Sequence, residues 1–274
     1  MKSSSAPTGL RWRLEGISAA TERYDLNGVL HELRHRVFRR RRSGVPPLSS
    51  DAEPQVSVVC VSNRPSQLGH IVEMFEAQDW PFKDLVLVTN ADDYATDAVV
   101  GFAGIHLVQT KPSVSLGDCL NQGFAAASGD VIARFDDDDL YAVGYLRSVV
   151  EVFRSMDAQV TGKAEYFAYV ESQDRTVRRF TGKSARYVGR VAGGSLAVIA
   201  EAVRGVEFPK QNVGEDVEYM RSCERAGLRI WASGPKGFLQ MRNTHGGHTW
   251  EIADRDFVAH ANDVGPGRDP TLWS

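Results

Sequence analysis

Four consecutive aspartates, Asp136, Asp137, Asp138 and Asp139, directly follow the apolar run VIARF (Val131–Phe135). A run this short and this apolar suits a buried strand. The carboxylates after it repel one another and cost stability unless something offsets their charge. The chain before it repeats a strand–helix rhythm. Val56–Val61 (VSVVCV) reads as another buried parallel strand, turned by Asn63–Arg64–Pro65 into a helix with Leu68, Ile71, Val72 and Phe75 on one stripe. Leu85–Val88 and Ile105–Val108 are two further strands. Ser115 is placed to cap a helix with Leu116, Leu120 and Phe124 inward, and Gly129 to end it before Val131. This alternation predicts an α/β fold with a doubly wound, mostly parallel sheet. Ligands of such sheets bind beyond the carboxyl ends of the strands, where the four aspartates fall.

The pattern changes after a helix at 143–156. Short strand-like pieces (Tyr166–Val170, Val177–Phe180, Leu196–Ile199), a helix at 216–226 and a strand near Leu228–Trp231 predict a smaller mixed region that completes the site. The 274 residues are 42% apolar and 24% charged, ordinary globular usage that excludes disorder and a collagen-like repeat. No apolar run approaches the roughly 20 residues of a membrane helix. Arg11, Arg13 and Glu15 interrupt the N-terminal apolar stretch, which argues against a secretory signal. Cys60, Cys119 and Cys223 form no C-x-x-C and suit a reducing, cytoplasmic setting.

Charge is uneven along the chain. Residues 1–50 hold ten Lys/Arg and four Asp/Glu, a formal +6, which leaves −9 on the rest of a chain whose total is −3. Residues 26–42 fit a basic amphipathic helix, with six arginines between Arg34 and Arg42. It reads either as a solvated helix end or as a peripheral contact with anionic lipid at the inner face of a membrane. The acidic body and the lack of a stacking-aromatic motif or zinc-finger spacing argue against nucleic acid. The expected plan is a basic extension and linker over 1–54, a main domain over 55–255 and a tail over 256–274.

Three constellations carry candidate chemistry. Asp136–Asp139 suit a hard divalent cation such as Mg²⁺ or Mn²⁺, which usually binds through one or two carboxylates and substrate phosphates. An EF-hand is excluded, because its loop glycine and final glutamate are missing. Glu215–Asp216 follow Gly214 at a helix start, where an acidic pair also compensates the helix dipole. His245–Gly246–Gly247–His248 pairs two potential ligands with glycines that let a ligand approach the backbone.

In order, these pieces resemble the family-2 glycosyltransferases of the GT-A nucleotide-sugar fold, over about 55–250. VSVVCVSNRP resembles the opening strand and nucleotide-binding turn, and LVLVTNADD the second strand. LGDCLNQGFAAASGDVIARFDDDDL resembles the helix, the Asn-x-Gly and the D-x-D strand end. GEDVEYMRSCERAG resembles the Glu-Asp motif, and THGGHTW the late His-Gly loop. The resemblance implies an inverting, metal-dependent transferase that moves a sugar from a nucleoside-diphosphate sugar to an acceptor hydroxyl, in polysaccharide or glycoconjugate synthesis. It implies Asp216 as general base and Glu215 as an aid to acceptor orientation. Asp138 is the implied ligand for Mn²⁺ or Mg²⁺, with Asp136 or Asp137 on ribose or metal. His245 and His248 stand at metal or diphosphate positions. Ser62, Asn63, Arg64, Asn90 and Asn121 are implied to line the nucleotide pocket; acceptor contacts are expected from the variable second half, with Gly193, Gly194 and Ser195 placed to line the cleft. The acceptor class stays open between a glycan, a lipid-linked molecule and a small molecule. Thr89 and Asn90 stand where family members often carry two aspartates, so a catalytically silent, sugar-nucleotide-binding member is the alternative. A sugar-nucleotide pyrophosphorylase is disfavoured, since the first turn, SNRP, lacks glycine.

Overall fold

The computed structural model describes residues 45, 47–49, 53–94, 103–243, 253–259 and 261–274. The helix expected over 26–42, and His245 and His248, lie outside the described residues.

The first half follows the expected alternation. Strand β1 (Val56–Ser62) leads through a short 3₁₀ turn, Pro65–Gln67, into helix α1 (Leu68–Glu76). Strands β2 (Lys83–Thr89) and β3 (Ile105–Gln109) follow, then helix α2 (Leu116–Ala126) and strand β4 (Val131–Asp136). β1 pairs in parallel with β2 on one side and β4 on the other, and β2 pairs in parallel with β3. The chain thus leaves β1 toward one edge and returns at β4 on the other side. That reversal opens a crevice at the carboxyl ends of β1 and β4, where the two sets of connections diverge. Ser62–Arg64 and Asp136–Asp139 are the residues at those two ends.

The strands are apolar because both sheet faces are covered. Val58, Cys60, Leu85, Leu87, Val131, Ala133 and Phe135 pack with Ile71 and Phe75 of α1. Val59, Val86, Val88 and Ile132, at the alternate positions, pack with Cys119 and Leu120 of α2. Ser115 caps α2 as expected, its side chain accepting from the Asp118 N–H at 3.1 Å. Gly129 has another role than the expected cap. The helix ends at Ala126, and a Cβ on Gly129 would sit 2.7 Å from Gln55 O and Ser57 N. It is glycine because the backbone passes against β1.

Beyond β4 come the two-residue strand β5 (Leu140–Tyr141), helix α3 (Tyr145–Ser155), and strands β6 (Val160–Gly162), β7 (Tyr166–Val170), β8 (Arg175–Arg179), β9 (Arg186–Val188) and β10 (Ala197–Ile199). Helix α4 (Glu215–Arg225), β11 (Ile230–Ala232), β12 (Phe238–Arg242), the short α5 (Asp254–Phe257), β13 (Ala261–Pro266) and α6 (Pro270–Trp273) complete the described chain. Among the described residues the strands form two sheets. One runs β3-β2-β1-β4-β10-β6-β11-β9 and the other β13-β8-β7-β12-β5. β10 enters the large sheet antiparallel to both β4 and β6, so the run of parallel strands that starts at β3 is interrupted after β4, and parallel pairing resumes between β6 and β11. The mixed region is therefore partly an extension of the main sheet and partly a second sheet. The 256–274 stretch, expected as a tail, supplies edge strand β13 against β8 and buries Trp273. No helix among the described residues is long and apolar enough to cross a membrane.

Candidate functional site

The ends of β1 and β4 meet through side chains. Ser62 Oγ donates to Asp137 Oδ2 at 2.6 Å and accepts from the Arg64 N–H at 3.1 Å. Arg64 Nε donates to Asp137 Oδ2 at 3.0 Å, and its Nη2 pairs with both Asp137 and Asp138, the latter at 3.1 Å. Asn90 joins this end through its backbone N–H, which donates to Ser62 O at 3.2 Å. Tyr94 is buried, and burial pushes its phenol up to about 12. Asn63 is exposed beside them.

The other aspartates turn toward the second half. Arg134, buried in β4, donates from Nε to Asp136 Oδ1 at 2.8 Å and from Nη1 to Glu215 Oε1 at 3.0 Å. It ties the strand end to the start of α4, 81 residues away. Tyr141 accepts from the Asp136 N–H at 2.8 Å and donates to Gly194 O at 2.7 Å. Its ring stacks on Phe135 with centroids 3.7 Å apart. Asp139 is buried and accepts from the Met241 N–H at 2.8 Å. The fourth aspartate therefore fastens the strand end to the second sheet.

Gly193 and Gly194 lie in the middle of these carboxylates. A Cβ on Gly194 would stand 2.7 Å from Asp136 Oδ2 and 2.8 Å from Asp139 Oδ2. A Cβ on Gly193 would stand 2.9 Å from Asp216 Oδ2. Any side chain there would fill the space between the D-x-D end and the Glu-Asp pair. Ser195 is fully buried and does not line the surface of this space; it holds the backbone, its Oγ accepting from the Lys163 N–H at 2.8 Å.

The cluster carries excess negative charge. Asp136–Asp139, Glu215 and Asp216 bring six carboxyl groups, whereas Arg64 and Arg134 bring two guanidiniums. Burial, reinforced by neighbouring carboxylates, pushes Asp138 and Asp139 above the carboxylate range. Burial also raises Glu215, partly countered by Arg134. A divalent cation bound by oxygen ligands fits this surplus. Among the described residues no three His, Cys, Asp or Glu side chains are grouped as a metal cage.

Asn121 stands apart from the other sequence-derived residues. Its Nδ2 donates to Phe208 O at 2.9 Å and its Oδ1 accepts from the Phe208 N–H at 2.8 Å. Both ends of the amide clamp that loop to α2. Asn121 also lines a separate open groove of about 680 Å³, beside Ser115, Asp118, Gln122, Glu207 and Lys210. Arg134 and Tyr141 were not singled out by sequence reasoning. The signal for Arg134 was an arginine inside an otherwise apolar strand, which must find buried acids.

A profile of glycosyl transferase family 2 matches residues 57–209, which span β1 through β10 and most of the site. The chain belongs to this family. A curated relative of the family-2 chain is an uncharacterized glycosyltransferase of Nostoc sp., 29% identical over 122 residues, 43% of this chain. The match spans 36% of that relative's length. Among solved structures, the mannosyltransferase PcManGT of Pyrobaculum calidifontis, in complex with GDP-Man and Mn²⁺, superimposes with a TM-score of 0.58 at 18% identity. That superposition covers 85% of this chain and 69% of the other. The S. aureus TarS 1–349 complex with UDP-GlcNAc gives 0.56 at 14% identity, over 75% and 64% of the two chains. At such identities the likeness establishes the GT-A fold of this family member.

Proposed function

We propose that the chain transfers a sugar from a nucleoside-diphosphate sugar to an acceptor hydroxyl with inversion at the anomeric carbon. One observation carries the reading. Asp136 of the D-x-D end and Asp216 of the Glu-Asp motif, 80 residues apart in sequence, close on the same Gly193–Gly194 backbone. A donor held at the first and an acceptor held at the second would meet there. The fold neighbours' complexes with GDP-Man and UDP-GlcNAc support a nucleotide-sugar donor.

Ser62, Asn63, Arg64 and Asn90 form the nucleotide end, with Asp137 held by Ser62 and Arg64. Asp138, with Asp136, would hold Mn²⁺ or Mg²⁺, and His245 and His248 are assigned to complete that region. The bound cation would neutralise charge on the departing diphosphate. The Asp216 carboxylate takes the acceptor proton while the acceptor oxygen forms its bond to C1. The bond from C1 to the diphosphate oxygen breaks, and the diphosphate leaves with that electron pair. Attack from the face opposite the leaving group inverts C1. Glu215, locked by Arg134, keeps α4 and hence Asp216 in place.

Asp216→Asn tests the base. A positioned general base contributes about 10²–10⁴-fold, so the variant loses that much kcat and keeps its nucleotide affinity. Near-normal turnover of Asp216→Asn removes it from the role.

A further inference from the structure

The pairing of β4 with β10 stops just short of the carboxylate cluster, and a side chain takes over from it. The antiparallel register sets Ala133 opposite Ala197, and the Arg134 N–H donates to Leu196 O at 2.8 Å. In that register the next bond of the ladder, two residues on, would run from the Asp136 N–H to Gly194 O. It is not made directly. The Tyr141 hydroxyl lies between the two groups, accepting from the Asp136 N–H at 2.8 Å and donating to Gly194 O at 2.7 Å. The inserted oxygen satisfies both backbone groups and keeps them farther apart than the ~2.9 Å of a direct bond.

A second phenol holds the next carbonyl. Tyr145, at the start of α3, donates to Ser195 O at 2.9 Å. Both carbonyls belong to the short 3₁₀ turn Gly193–Ser195 that leads into β10. Neither phenol is free to swing. Tyr141 is 3% exposed and Tyr145 1%. The Tyr141 ring stacks flat on Phe135, and its centroid lies 5.2 Å from that of Tyr145 and 5.5 Å from that of Phe238. Phenylalanine would fill such an aromatic pocket as well, so packing alone does not account for the two hydroxyls.

The spacing matters because the turn stands between the two ends of the site. Gly194 faces Asp136, and Gly193 faces Asp216. A direct bond from Asp136 to Gly194 would draw the strand end onto the turn and narrow the space between the two carboxylates. The nucleotide end is built separately. Ser62, Arg64 and Asp137 bond to one another there.

We infer that Tyr141, with Tyr145 beside it, is a positioning residue: its hydroxyl is a spacer rung that holds the D-x-D strand end and the Gly193–Gly194 turn at the separation that sugar transfer needs. This rests on the transfer reading above and adds to it the side chains that set the distance from donor to base.

The test compares wild type with Tyr141→Phe, Tyr145→Phe and, as a control for stability alone, Val177→Ala in the core at β8. The full chain with Mn²⁺ is assayed for nucleoside-diphosphate release from a panel of UDP-, GDP- and dTDP-hexoses, with water as acceptor, well below each melting temperature. Nucleotide binding is measured in parallel by calorimetry. Tyr141→Phe is expected to lose about 10–10²-fold in kcat, the cost of a displacement on the order of 1 Å, with KM and nucleotide affinity kept within about twofold. Tyr145→Phe is expected to show the same split at smaller amplitude, and it carries the test if Tyr141→Phe does not fold. Val177→Ala is expected to melt earlier with kcat unchanged. Equal kcat in wild type and both tyrosine variants overturns the positioning role and leaves the transfer reading intact. A kcat loss matched by Val177→Ala, or one accompanied by an equal loss of nucleotide affinity, also overturns it. Wild type that releases no nucleotide from any donor overturns the transfer reading and this role with it.

Discussion

Arg134→Met removes the side chain that bridges Asp136 at the strand end and Glu215 at the start of α4. Methionine keeps much of the volume of the buried stem and deletes the charge. Glu215, with a side chain 6% exposed, then keeps a carboxylate with no guanidinium beside it, while Asp136, 32% exposed, is partly rescued by water. Removing one partner of a buried ion pair costs about 3–5 kcal/mol, and most of it here falls on Glu215. In a domain of this size that corresponds to a melting shift of roughly 6–20 °C downward, at about 2–4 °C per kcal/mol. The cost has a pH signature. Glu215 is already raised by burial, and loss of the arginine raises it further, so the folded variant takes up a proton before the unfolded chain does. The deficit is full near neutral pH and shrinks as pH falls toward the ordinary carboxylate range. Thermal and urea unfolding of wild type, Arg134→Met, Glu215→Gln and the double variant measure this. The double variant should recover more than about 1.5 kcal/mol relative to additive single effects. A loss under about 1 kcal/mol for Arg134→Met, or strict additivity in the cycle, would refute the claim that this bridge holds the site together.

Gly194→Ala places a methyl 2.7–2.8 Å from two carboxylate oxygens; the expected cost is about 1–3 kcal/mol of stability and most of the transfer activity, read by unfolding and product formation, and full activity would mean that the backbone there yields. Asn121→Ala frees both backbone groups of Phe208 and should cost about 1–3 kcal/mol with no change in nucleotide affinity by calorimetry; a lost nucleotide response with an unchanged melting temperature would return Asn121 to the pocket. Lys163 is buried, its amine lowered to about 8 by desolvation, with Nζ donating to Gly234 O. Between that value and its usual one the unfolded chain binds the extra proton, so wild type gains on Lys163→Met by up to about 1.4 kcal/mol per pH unit from pH 8 to 10; a constant gap in urea unfolding over that range would show that the lysine is not desolvated.

What was legible in the sequence was what neighbours along the chain decide. VSVVCV and VIARF read as buried strands because they are short and largely apolar, with one polar residue each, and Ser115 had to cap α2 because its oxygen reaches an N–H three residues on. The four aspartates had to lie at a strand end for the same local reason. Tertiary structure decided the rest, through contacts between residues far apart in the chain. The partner that makes Arg134 tolerable in an apolar strand is Glu215, and the carboxylates that exclude a side chain at Gly194 come from β4 and the residues just after it. Asn121, part of a motif that resembles a nucleotide contact, is claimed by Phe208, 87 residues on. The 256–274 stretch has no strong periodicity, yet becomes an edge strand because β8 offers it unpaired backbone groups. Periodicity and caps are set within a few residues, so sequence carries them. Charge pairing and close backbone approach depend on which distant segments the fold brings together, and only the folded chain supplies that.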